Sequence, residues 1–106
     1  MTDKIVVFST APNAEEAEKI ARALVNERLA ACVNVIPSVR SFYRWQGKIE
    51  DSAEFLLVIK SSRELFEQLR ISLEKLHSYE VPEVIAMPVV DGAGNYLNWM
   101  DGELGA

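Results

Sequence analysis

Cysteine and histidine are almost missing from this sequence, which has one of each, Cys32 and His77. A lone cysteine cannot close an internal disulfide, and one thiol with one imidazole is a thin basis for a soft metal centre. Glycine (5) and proline (4) are also scarce, which excludes collagen-like and low-complexity chains. Basic residues are outnumbered, 11 Lys+Arg against 16 Asp+Glu, for a formal net charge of −5. That is the wrong sign for a phosphate backbone or an anionic lipid surface, so neither nucleic acid nor a membrane is expected as a partner. The longest apolar runs, such as Phe55 to Ile59, fall far short of the ~20 residues that cross a bilayer. The opening Met-Thr-Asp-Lys has no apolar signal core. With the unpaired cysteine, this points to a reducing, cytoplasmic setting. What is present, 106 residues at 49% hydrophobic and 25% charged, suits one domain over 1–106. Folding would bury roughly 65% of the unfolded surface, enough for a core without disulfides or a structural metal.

The unbroken run Ile5 to Phe8 predicts a strand buried on both faces. Asn13 then offers a side-chain cap, and Ala17, Ile20, Ala21, Leu24, Val25 and Leu29 recur at helical spacing, with Glu15, Glu16 and Glu18 near the start and Arg28 near the end. Cys32 to Trp45 and Ile49 to Lys60 are rich in β-branched and aromatic residues and flank Gln46-Gly47, which predicts a long hairpin. Pro37 cannot donate to the ladder, so it predicts a bulge or an edge position. Ser61 with Glu64 reads as a capping box for a second helix striped by Leu65, Phe66, Leu69, Leu73 and Leu76 and ending at His77. Val84 to Val90 predicts a last strand, and Asn95 to Leu104 a short tail helix.

This order predicts an α+β, ferredoxin-like βαββαβ sandwich with a long β2-β3 hairpin and a short C-terminal helix. Its two main helices cover one face of the sheet, yet the first and third strands are apolar on both faces. The other face therefore calls for a second copy of the chain, and a homo-oligomer is expected.

Several segments in this order resemble one family. They are Ser-Thr-Ala-Pro-Asn at 9–13, Ala-Ala-Cys-Val-Asn at 30–34, Tyr43 and Trp45 ahead of Gln46-Gly47-Lys48, Lys60, His77-Ser-Tyr-Glu-Val-Pro-Glu at 77–83, and Tyr96-Leu-Asn-Trp at 96–99. Together they resemble the CutA family of divalent-cation tolerance proteins over nearly the full length. The resemblance implies a homotrimer of ferredoxin-like subunits, similar in architecture to PII signalling proteins, with a role in tolerance of copper and other divalent metals. Some relatives proposed to bind copper carry Cys at the Ser9 position and a further His at Leu76. This sequence has neither, and Ser78 replaces the usual Pro after the histidine.

The topology brings three segments to one end of the sheet: the strand exit Ser9 to Asn13, the hairpin tip Tyr43 to Gly47 and the loop His77 to Glu83. His77, Tyr79, Glu80 and Glu83 thereby become candidate ligands for a cation, copper or zinc in the first instance. Their alternative roles are loop-fixing and subunit contact. Cys32 falls at the opposite end, so a metal held by both His77 and Cys32 has to bridge subunits. Tyr43 and Trp45 are candidate stacking or interface residues, and Lys60 is a candidate partner for a carboxylate or a terminus. No nucleophile and base can be paired, so enzymatic activity is not expected. A PII-like trimer binding a small metabolite between subunits, and a scaffold without a small ligand, are the alternatives to direct metal binding.

Overall fold

A computed structural model describes residues 1–105. The elements run β1 (Lys4–Ala11), α1 (Ala14–Asn26), β2 (Cys32–Trp45), β3 (Lys48–Ser62), a 3₁₀ turn (Arg63–Leu65), α2 (Phe66–Leu76), β4 (Ile85–Pro88) and α3 (Gly94–Glu103). The strands pair antiparallel in the order β2-β3-β1-β4, the ferredoxin-like arrangement that the alternation of elements implies.

Asn13 starts α1 as its residue type suggests, its side-chain oxygen accepting from the Glu16 N–H at 2.8 Å. The helix ends without glycine. Arg28 takes a left-handed φ of 61°, and Leu29 N–H and Arg28 N–H donate back to the Leu24 and Val25 carbonyls. Arg28 is therefore past the helix rather than in its last turn, and its guanidinium donates to the carbonyls of Gly102 and Glu103 at the end of α3. The Ser61–Glu64 capping box does not form. Ser61 is fully buried and donates to the Leu29 carbonyl at 2.7 Å, so a 3₁₀ turn leads into α2 instead. The last strand is shorter than its apolar run, since only Ile85 to Pro88 pair in register with β1, followed by a single bond from the Val89 N–H to the Lys4 carbonyl at 3.0 Å.

Ile5, Val7, Leu57 and Ile59 from the sheet pack against Ala17, Ile20 and Leu24 of α1 and Leu69 and Leu73 of α2. The opposite face carries Ile36, Ile85 and Met87, about half exposed, beside the half-buried Val6, Phe8, Leu56 and Val58. Toward one end of that face Lys4 reaches Asp3 at 2.5 Å and Asp101 at 2.6 Å, fastening α3 to β1. Burial alone would lower the Lys4 ammonium, but the two carboxylates outweigh it and hold it above the ordinary 10.5.

At the other end the hairpin outgrows the sheet. Ala11, the last residue of β1, opposes Phe55, so the pairs from Val39 with Glu54 to Trp45 with Lys48 have no third strand beside them. This arm projects by about 20 Å and lengthens the molecule to 44 Å along its principal axis, against 25 and 23 Å across. A register shift between Ile36 and Val39 sets its phase, with Ser38 at φ 64° next to Pro37. Gln46 (φ 51°) and Gly47 (φ 82°) close it with two successive left-handed residues, the turn that suits a twisted hairpin.

Candidate functional site

The bulge puts Val39, Ser41, Tyr43 and Trp45 on the same face of the arm as Glu54, opposite Val39, and Ser52, opposite Ser41. Tyr43 Oη and Ser52 Oγ lie 3.1 Å apart along that face. The loop after α2 returns beneath the arm, and between the two opens a cleft of about 670 Å³ lined by Tyr43, Trp45, Glu54, Tyr79, Glu80 and Glu83, with Thr10, Ser41 and Ser78 at its floor and sides. Three carboxylates line it and no lysine or arginine does.

Glu54 is the buried member, 4% exposed. Its Oε2 accepts from the Tyr79 hydroxyl at 2.6 Å, and among the described residues no cation pairs with it. Burial, and then the Glu54 carboxylate, push the Tyr79 phenol far above its ordinary 10.0, so Tyr79 stays a donor to Glu54 throughout the physiological range.

His77 braces the loop. Its side chain is fully buried, Nε2 lies 2.6 Å from the Thr10 carbonyl, and Nδ1 accepts from the Tyr79 N–H at 3.0 Å. An Nδ1 that accepts fixes the neutral tautomer with the proton on Nε2, and both ring nitrogens are then committed. Glu16 lies 3.3 Å from Nδ1 and spends the same oxygen on the Ser78 N–H and hydroxyl, both at 3.0 Å. Burial alone would raise the Glu16 carboxyl, but the two Ser78 donors outweigh it and hold it below the ordinary 4.5. The imidazole also packs against the ring of Tyr79, the residue that reaches Glu54, with centroids 4.7 Å apart and the planes tilted by 45°.

Five sequence candidates, Tyr43, Trp45, Tyr79, Glu80 and Glu83, thus line one cleft, with His77 in the loop that supports it. Cys32 and Lys60 do not. They face each other across β2 and β3, next to Val6 of β1, four residues from the Thr10 carbonyl that His77 contacts. There Lys60 Nζ lies 3.7 Å from Cys32 Sγ and donates to Asn34 Oδ1. An ammonium beside the thiol opposes the approach of a metal cation. Among the described residues no group of three Cys, His, Asp or Glu side chains is placed to hold a metal ion. Sequence reasoning missed Glu54, yet its signal is legible: a carboxylate in phase with the apolar Leu56 and Val58.

Residues 5–103 match the family model described as the CutA1 divalent ion tolerance protein. The chain is 46% identical over 95 residues to the divalent-cation tolerance protein CutA of Thermus thermophilus, covering 90% of this chain and 92% of that one. It is 46% identical over 96 residues to the chloroplastic CutA of Arabidopsis thaliana, covering 91% of this chain and about half (53%) of that longer protein. The crystal structure of CutA from Xylella fastidiosa superposes with a TM-score of 0.95 at 44% identity, covering 98% of this chain and 100% of that one.

Proposed function

Because this chain belongs to the CutA1 divalent ion tolerance family, we propose that it acts in divalent-cation tolerance by binding the cation itself, as a non-enzymatic homotrimer of the cytoplasm. The observation that carries this reading is Glu54, a carboxylate 4% exposed at a cleft that offers two more carboxylates and no basic side chain. A buried charge of one sign is ordinarily paired, and carboxylate oxygens serve hard and borderline divalent ions. We assign the cation to this cleft, with Glu54 as its protein ligand and Glu80 and Glu83 adding negative charge along the lining, rather than to His77, whose nitrogens are engaged, or to Cys32, which adjoins an ammonium. The apolar outer face of the sheet supports assembly, and a lone cysteine, which cannot close an internal disulfide, supports the cytoplasm. No helix among the described residues is long and apolar enough to cross a membrane.

Native mass spectrometry with stepwise Cu(II) and Zn(II) tests this. The expected result is a trimer that takes up a fixed number of ions, a number reduced by Glu54→Gln or Glu83→Gln and kept by Cys32→Ser. Graded adducts indifferent to those variants overturn the metal assignment, and a monomer overturns the assembly.

A further inference from the structure

The cleft is larger and more aromatic than a bare ion requires. At about 670 Å³ it falls within the range of small-molecule sites, roughly 300–1,000 Å³. Tyr43 and Trp45, 41% and 40% exposed, form one wall on the same face of the arm as Glu54, and Tyr79 stands between that carboxylate and the loop. Aromatic faces add little to a hydrated metal ion held by oxygens. They favour a cation that carries carbon, through the attraction of an ammonium to the ring face and the burial of its methylenes.

We propose that this cleft receives an alkylammonium ion, its charged head against the unpaired side of the Glu54 carboxylate and its carbon chain along Tyr43 and Trp45. Glu80 and Glu83, on the opposing loop, supply charge for a second ammonium, so a diamine fits better than a monoamine. The Tyr79 hydroxyl, which stays protonated, holds Glu54 Oε2 and leaves Oε1 to accept from the ligand. The proposal rests on the reading of the cleft as a cation site and differs from it in the class of cation.

Isothermal titration of the intact protein with 1,5-diaminopentane, with the neutral 1,5-pentanediol and with Zn(II) separates the two. The expected outcome is saturable binding of the diamine, with the diol at least about 10-fold weaker. Trp45→Ala lowers diamine affinity by about 2–30-fold and leaves Zn(II) unchanged, whereas Glu54→Gln weakens both. Zn(II) binding without diamine binding overturns this proposal and leaves the metal assignment standing, and the reverse does the opposite. Diamine binding indifferent to Trp45→Ala overturns the proposed wall. Each variant is also weighed by native mass spectrometry: if Glu54→Gln changes the assembly state, Glu54 belongs to a subunit contact and the proposal fails.

Discussion

Where β1 begins, Lys4 is gripped by Asp3 and Asp101, Lys60 rests on Asn34, and Arg28 donates to the last carbonyls of α3. Where β1 stops, Glu54 is as deeply buried as Lys4, 4% exposed against 3%, but meets only a tyrosine hydroxyl. One end of the sheet answers its charges internally, and the other leaves a charge open. The cost of burying an ion is offset by the chain in the first case, and in the second it is left for something outside the chain to offset. The closed end thus works as a fastening and the open end as a receptor.

The largest test of this contrast falls on the brace beneath the open end. His77→Ala removes a fully buried ring and strands the Thr10 carbonyl and the Tyr79 N–H, so the variant should lose about 3–4 kcal/mol in urea unfolding. A loss below about 1 kcal/mol would mean that the loop does not depend on the imidazole. Lys4→Met comes next. It keeps the packing of the side-chain stem but removes the partner of two carboxylates, and about 1–2 kcal/mol should go, with faster amide exchange in α3. The wild type carries a matching pH signature. The Lys4 pKa is raised, so its contribution is fully present below 10.5 and is lost as pH rises through the higher folded value. The stability difference between wild type and Lys4→Met should therefore shrink above that pH and hold steady from 7 to 10. The smallest effect is at Ser9, fully buried with no partner for its hydroxyl among the described residues. Ser9→Ala removes an unsatisfied donor and should be neutral or stabilise by up to about 1 kcal/mol in the same assay. A clear loss would place a hydrogen-bond partner there.

Much of this contrast was legible in the residues because it rests on local rules. Asn13 caps α1, Gln46-Gly47 closes the hairpin, and Pro37 marks the shift of register that turns Tyr43 and Trp45 toward Glu54. The convergence of arm and loop follows from element order alone. What the sequence hid depends on partners distant along the chain. His77 finds its acceptor at Thr10, 67 positions away, so its imidazole reads as available until the backbone closes on it. Ser61 looks like a helix cap but answers the Leu29 carbonyl, 32 positions back. Arg28 ends α1 where glycine is usual because its side chain has work to do on α3. Glu54 was passed over because a single carboxylate in a strand is ordinarily a solvent-facing residue.

The pairing scheme also sets an order in time. The arm zips outward from Gln46-Gly47 through partners that begin only three positions apart, Trp45 with Lys48, so its loop-closure entropy is small at every step. Joining β4 to β1 instead brings Ile5 to Pro88, across nearly the whole chain. The hairpin should accordingly be ordered early and the β1-β4 edge sealed late, with a refolding rate governed by that last long closure. A circular permutant that shortens this closure should refold faster while its arm forms on the same schedule.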